Sequence, residues 1–382
     1  MQKLIRITTV PSSLRTLLRG QHRFMSKYYK VIGIASNGDA LREVRENEGI
    51  ETLAVEMTRT ITPIKDLKAV YKLYKYFKAE KPYIVHTHTP KAGTVGMLAA
   101  KLAGVPHRLH TIAGLPLLEA SGAKRYLLNA VEKFTYSCAT LILPNSLGLK
   151  QIILDNKFTK INKLHVAGNG SSNGIDTEHY DITQVSESVK ASLRTELDIS
   201  ENDVVFIFVG RIVKDKGINE LIEAFNKLSK KNLNCKLILV GPRENHLDPL
   251  FPETETHIKE NSQILAVGVQ KDIRPYVAIS HVLTFPSYRE GFPNVVLQAS
   301  CMQLPCIVSD INGCNEIIEN NLNGIIIPSK DAVALEIAMQ YMIDFPEKRK
   351  AMIKHTRSRI IERYEQQFVW NQILKIYKGL DK

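Results

Sequence analysis

Unbroken apolar runs alternate along the chain with stretches in which apolar residues recur every third or fourth position. Val204–Val209 and His281–Phe285 are such runs, as are Leu4–Val10, Val31–Ala35, Tyr83–His88, Arg108–Ile112 and Leu141–Ser146. A short apolar run without polar alternation reads as a strand covered on both faces, the environment of a parallel sheet. The helical period predicts helices over about 14–29, 65–80, 91–103, 335–342, 348–364 and 369–380, and another after Gly217 with Leu221, Ile222, Phe225 and Leu228 on one face. In the first helix Leu14, Leu17, Leu18, Met25 and Tyr28 form the apolar face, behind a cap at Pro11–Ser13. In the second, Leu67, Val70, Tyr71, Tyr74 and Phe77 are expected to face inward. Strand and helix alternating twice over predict an α/β protein of two doubly wound, Rossmann-like domains.

Length and composition agree with this. The chain has 382 residues, enough for two cores, with 44% hydrophobic and 24% charged residues, as in globular proteins. No apolar run reaches the ~18 residues of a membrane span. Arg6 interrupts the apolar start of the chain, which reads as a strand and not a signal peptide. The five cysteines, Cys138, Cys235, Cys301, Cys306 and Cys314, lack zinc-like spacing and read as free thiols of a reducing cytosol.

Charge changes the picture more. Residues 1–182 hold 26 Lys and Arg against 14 Asp and Glu, whereas residues 183–382 hold 25 of each, so the whole net charge of +12 lies in the first half. Arg15, Arg19, Arg23 and Lys27 repeat every fourth residue, and Lys65, Lys68, Lys72 and Lys75 form a second basic arc. Such a half suits an anionic partner: a membrane, a nucleic acid or a phosphorylated acceptor.

Two strand-to-helix turns carry the candidate chemistry. After Val209 come Gly210, Arg211, Lys216 and Gly217; after Phe285 comes Pro286-Ser-Tyr-Arg-Glu-Gly-Phe-Pro-Asn-Val-Val-Leu-Gln298, with Glu290 in the turn. Strand ends followed by helix N-termini bind anions, and an Arg fork with a Lys point charge suits phosphate oxygens. His86 and His88 end another strand, where acceptor contact or packing explains them better than metal ligation. The glycine-rich stretch Gly168–Gly174 has the wrong spacing for a dinucleotide fingerprint and reads as a loop entering the interdomain linker.

Together, Gly210-Arg211, Lys216-Gly217 and the Glu290 segment resemble the retaining glycosyltransferases of family 4 (group 1), over nearly the whole chain. Gly241–Glu244, Val267–Gln270, Gly170–Asp176 and Leu115-Pro116 also resemble segments of that family, the last two those of its capsule and O-antigen polysaccharide subgroup. The resemblance implies a GT-B fold, two Rossmann-like domains facing a cleft, with an acceptor domain at 1–178, a nucleotide-sugar domain at 179–364 and a final helix at 365–382 crossing back to the first domain. It implies transfer with retention of configuration, a UDP-sugar donor, no required metal, and a lipid-linked acceptor of the undecaprenyl-diphosphate type. In those roles Arg211 and Lys216 hold the diphosphate with Gly210, Glu290 contacts the donor sugar, Gly291, Phe292, Pro293 and Asn294 line the donor site, Val269 lies at the base and Gln298 at the ribose.

Two positions depart from the family pattern. Gln298 stands where relatives carry a second Glu, and Ala113 where many carry a histidine; His110 is close by in sequence. Glutamine still offers ribose an acceptor and a donor. An enzyme with these features belongs in the cytoplasm, attached peripherally to the inner face of the cell membrane. The chain shows no Asp-x-Asp pair that would demand a divalent metal. Other readings are a nucleotide-sugar epimerase of the same architecture and an inactive nucleotide-sugar-binding homologue. A nucleic-acid binder is disfavoured, because neither basic arc interleaves exposed aromatics.

Overall fold

The computed structural model describes residues 1–60, 62–244 and 248–381. The chain divides into two compact units, Met1–Gly174 with Gln366–Lys382, and Ile175–Glu365. The first contains β1 (Lys3–Ile7), α1 (Pro11–Leu17), α2 (Gln21–Ser26), β2 (Lys30–Ala35), α3 (Asp39–Glu48), β3 (Glu51–Ala54), α4 (Pro63–Glu80), β4 (Ile84–Thr87), α5 (Pro90–Ala103), β5 (His107–Ile112), α6 (Gly122–Cys138), β6 (Leu141–Pro144) and α7 (Leu147–Asp155). The second contains α8 (Glu187–Glu196), β7 (Val204–Val209), α9 (Ile218–Lys231), β8 (Cys235–Val240), α10 (Pro252–Glu260), β9 (Ile264–Gly268), α11 (Arg274–Ala278), β10 (Val282–Phe285), α12 (Asn294–Cys301), β11 (Cys306–Ser309), α13 (Cys314–Ile317), β12 (Gly324–Ile327), α14 (Ala332–Asp344) and α15 (Pro346–Tyr364). α16 (Gln366–Lys378) returns to the first unit.

Each unit is built on a six-stranded parallel sheet. The orders are β3-β2-β1-β4-β5-β6 and β12-β11-β10-β7-β8-β9, one doubly wound pattern used twice. In both, the strand order reverses beside the first strand, between β1 and β4 and between β7 and β10. That crevice, outside the carboxyl ends of the strands, is where open α/β sheets hold ligands. The central strands are covered on both faces, and β7 is buried along its length apart from its ends. α9 shows the matching pattern, with Leu221, Ile222, Phe225 and Leu228 buried against the second sheet's core.

Two helices of the first unit differ from the sequence expectation. The helix expected over 14–29 is two helices, α1 and α2, broken at Gly20, whose φ of 77° lies in the left-handed region. A Cβ there would come within 2.7 Å of the Trp370 ring, so close packing by α16 keeps the break. The basic stripe is broken with it: Arg15 pairs with Glu43 at 2.5 Å, and Arg23 donates to the Asn47 carbonyl. In α4 the buried residues are Ala69, Leu73 and Phe77. Leu67 and Tyr71, expected inside, are 66% and 56% exposed, and Ile64 is 74% exposed. Phe77 is buried as expected and Val70 and Tyr74 are partly buried against the core, so the packed stripe is shifted around the helix by about one residue (about 100°), towards Ala69 and Leu73.

α16 completes the first unit's core with Val369, Ile373, Leu374 and Tyr377. Trp370 packs on Phe24 at 5.5 Å between ring centroids, and its indole N–H donates to Asn173 at 2.8 Å.

Candidate active site

The carboxyl ends of β7 and β10 bring the two sequence segments together. After β7 the chain makes a short turn and enters α9 at Gly217, whose φ is 71°. A Cβ on Gly217 would stand 2.0 Å from the Pro286 carbonyl oxygen, so only glycine lets this turn lie against the segment after β10. The close approach has a chemical result: the Lys216 ammonium forms an ion pair with the Glu290 carboxylate. Their side chains are only 15% and 16% exposed, so water screens the pair weakly.

Glu290 is oriented from several sides. The Ser287 hydroxyl donates to its carboxylate at 3.0 Å, and the Asn312 amide donates to its backbone carbonyl. Pro293 stands at the N-cap of α12, and Asn294 is the exposed first residue of the helix. Gly291 and Phe292 are buried, and the Phe292 ring packs on Tyr364 at 5.2 Å; that side chain belongs to the core.

Arg211 lies beside this pair within an acidic frame. It bonds Glu244 at 2.9 Å and stands 3.8 Å from Asp215, which also pairs with Arg289 at 2.8 Å. Burial works against the guanidinium's charge, but the hydrogen bond to Glu244 and the charges of Asp215 and Glu244 hold its pKa above the ordinary value. Glu290 adds to the same effect. Nearby, the buried Cys314 thiol is held well above its usual range by desolvation and then by the Glu290 charge.

A cavity of about 410 Å³ opens next to these loops, lined by Ile212, Leu239, Gly241, Pro242, Arg243, Ala266, Gly268 and Val269. Val269, 70% exposed, follows β9 at its rim. Gln298 is partly buried on α12, and its amide donates to the Tyr180 hydroxyl at 2.8 Å. The structure therefore joins Lys216 directly to Glu290, sets Arg211 beside them through Asp215, and puts Val269 at the adjoining cavity. Asp215, Ser287, Asn312 and Tyr180 escaped the sequence reading. Asp215, between Arg211 and Lys216, and Ser287, three residues before Glu290, were within reach of it; Asn312 and Tyr180 are brought in from distant loops with no local signal.

The corresponding end of the first unit's sheet is unlike this. His86 bonds the Tyr377 hydroxyl at 2.6 Å and the Thr111 hydroxyl at 2.7 Å, and is a packed residue. His88 packs on it, ring centroids 4.0 Å apart and tilted by 35°, with no hydrogen-bond partner among the described residues on either ring nitrogen. His110 bonds Thr87 at 2.7 Å and packs under α5, where a Cβ at Gly93 would meet its ring at 2.3 Å. It thus points away from the exposed loop at Ala113 and takes no place there. Burial lowers the pKa of all three, that of His110 to about 4. Among the described residues no group of three His, Cys, Asp or Glu is placed to hold a metal ion.

Two six-stranded parallel sheets of one winding, the second carrying a cation-and-carboxylate site at its switch point, are the architecture of the GT-B fold. The family models "Glycosyl transferases group 1" and "Glycosyl transferase 4-like" match residues 189–359 and 14–146. The chain is 31% identical over 376 residues to the capsular polysaccharide biosynthesis glycosyltransferase CapM of Staphylococcus aureus, covering 98% of this chain and 97% of that one. It is 31% identical over 309 residues to the Escherichia coli UDP-Gal:alpha-D-GlcNAc-diphosphoundecaprenol alpha-1,3-galactosyltransferase, covering 80% of this chain and 77% of the relative. Its fold is similar to that of Anabaena HepE, solved in complex with UDP, with a TM-score of 0.80 and 18% identity over 99% and 100% of the two chains. The protein belongs to the group 1 glycosyltransferases.

Proposed function

We propose that the enzyme transfers a hexosyl or N-acetylhexosaminyl group from a UDP-sugar to an undecaprenyl-diphosphate-linked saccharide, with retention of configuration, in surface polysaccharide synthesis. The observation that carries this reading is the Lys216–Glu290 ion pair at the switch point, with Arg211 beside it. The leaving nucleoside diphosphate gains negative charge as the glycosidic bond breaks. Lys216 and Arg211 offset that charge, with the backbone N–H groups at the start of α12 around Gly291–Asn294. Glu290, held by Ser287, faces the donor sugar and orients its hydroxyls. Val269 and the cavity beside it take the base, Gly210 leaves room for the diphosphate, and Gln298 meets the ribose. Positive charge for the diphosphate comes from side chains, so no divalent metal is required. The names of the S. aureus and E. coli relatives support the pathway and the lipid acceptor.

The test is incubation with UDP-glucose, UDP-galactose and their N-acetyl forms, with and without a synthetic lipid-diphosphate saccharide, followed by product NMR. Transfer that needs the acceptor and preserves the anomeric configuration is expected. Conversion of the donor sugar without acceptor would establish an epimerase instead.

The first unit is the reading's acceptor and membrane side. It holds 29 Lys and Arg against 12 Asp and Glu. On α4 the exposed Ile64, Leu67 and Tyr71 lie among exposed Lys65, Lys68, Lys72 and Lys75. No helix among the described residues is long and apolar enough to cross a membrane. We therefore assign α4 as the contact with an anionic bilayer on the cytoplasmic face, apolar side chains entering the interface and lysines meeting headgroups.

A further inference from the structure

Gln298 offers its ligand two different atoms, an acceptor and a donor, and which one faces outward depends on what holds the other. Here the amide nitrogen donates to the Tyr180 hydroxyl at 2.8 Å. Tyr180 is itself held in place. Arg357 donates to the carbonyls of Thr177 at 2.9 Å and Tyr180 at 3.1 Å, and pairs with Asp181 at 2.7 Å. The same guanidinium donates to the Cys301 carbonyl at 2.8 Å, at the end of α12. Arg274 donates to the His179 carbonyl at 3.1 Å. One arginine therefore ties the Tyr180 segment to the helix that carries Gln298, and a second arginine secures the segment's middle.

We propose that Tyr180 is a positioning residue that fixes the Gln298 amide with Oε1 outward, so that an uncharged side chain presents the ribose hydroxyls with the acceptor a carboxylate would supply. The inference rests on the nucleotide reading of this site. A glutamine free to turn over would present acceptor and donor by turns and bind a ribose hydroxyl less selectively. A glutamate needs no such help, because either orientation presents an oxygen. Tyr180 is thus the partner that makes glutamine serviceable at this position, and its hydroxyl acts on ribose binding through the amide of residue 298.

The experiment compares UDP with 2′-deoxy-UDP by titration calorimetry. Wild type should prefer UDP by roughly tenfold, the value of one ordinary hydrogen bond. Tyr180→Phe should reduce that preference to about twofold or less, and so should Gln298→Ala, which removes the acceptor outright. Adding Gln298→Glu to Tyr180→Phe should restore the preference, an outcome that a merely structural tyrosine would not give. Full discrimination by Tyr180→Phe, or no rescue by glutamate, overturns the proposal. Wild-type protein that binds UDP without distinguishing the deoxy form overturns this proposal alone. Wild-type protein that binds no UDP overturns the nucleotide reading as well.

Discussion

At the carboxyl end of the first unit's sheet, His86, His88 and His110 are buried and neutral, and Arg6, the strand neighbour of His86, is fully buried, two of its nitrogens having no hydrogen-bond partner among the described residues. At the carboxyl end of the second unit's sheet, Lys216, Glu290, Arg211 and Asp215 form a network that solvent partly reaches. The strand order is the same in both. Topology therefore supplies the crevice but not its chemistry, which depends on whether the loops leave charges at the surface or the strands bury them. In the second unit the charges sit on loops after β7 and β10, free to exchange a carboxylate partner for a ligand's phosphate. In the first, the polar groups sit on or just after the strands themselves, where their partners are other core residues.

The comparison breaks most sharply by removing cations from the second site. Arg211→Ala with Lys216→Ala should abolish UDP-induced thermal stabilisation and lower kcat/KM by on the order of 10³ or more, since one preorganised group alone is typically worth about 10²–10³. Circular dichroism should show an unchanged fold. Unaltered UDP affinity would remove both residues from the diphosphate site. Glu290→Gln should come next, cutting turnover by roughly 10² with smaller change in UDP affinity, because its proposed contact is to the sugar. A wild-type rate in that variant would show that the carboxylate only balances Lys216.

The first unit responds to pH instead. Burial lowers the pKa of His22 to about 3 and that of His110 to about 4, and pushes His86 and His88 well down, whereas in the second unit it lowers His281 to about 4. A folded-state pKa below the unfolded value of about 6.5 means that the unfolded chain binds the extra protons. Stability from these groups is fully present above about pH 6.5 and declines as pH falls through the folded values, about 4 for His110 and about 3 for His22, with no further loss on raising pH. Trp370, the sole tryptophan, lies in the first unit and reports on it alone. Its fluorescence transition should precede the loss of far-UV ellipticity as the protein is acidified. Coincident transitions at every pH would contradict a weaker first unit.

The smallest effects belong to α4. Lys68→Glu with Lys72→Glu should release the protein from vesicles containing acidic lipid at low salt, each lysine near the surface contributing ~1 kcal/mol. Leu67→Ser with Tyr71→Ser should weaken the binding that persists at high salt, where the Debye length is about 3 Å. Equal sedimentation with neutral and acidic vesicles, or with neither, would make α4 an ordinary solvated helix.

The α/β class was legible because the strands are buried on both faces: Val204–Val209 and the helix face at Leu221, Ile222, Phe225 and Leu228 can be read without tertiary knowledge. The break at Gly20 was not, since a glycine inside a helical pattern costs only about 1 kcal/mol and the side chain that enforces it, Trp370, is 350 residues away in the chain. The turned face of α4 escaped as well. Leu67 and Tyr71 were expected inside together with Phe77, but the buried stripe runs through Ala69, Leu73 and Phe77 and leaves the first two exposed. At the site, the residues of each turn could be picked out singly. Their pairing could not, because the contact of Lys216 with Glu290 depends on Gly217 lying against Pro286.

α16 gives the molecule a definite order of assembly. Val369, Ile373, Leu374 and Tyr377 belong to the core of the first unit, yet a whole second unit, Ile175–Glu365, is encoded before them. A chain emerging from the ribosome has every residue of its second unit in hand before the first can close. The unit begun first is finished last. A chain truncated just after Glu365 and released should therefore carry a protease-resistant second unit and an unprotected first one, the N-terminal half losing its fold with α16.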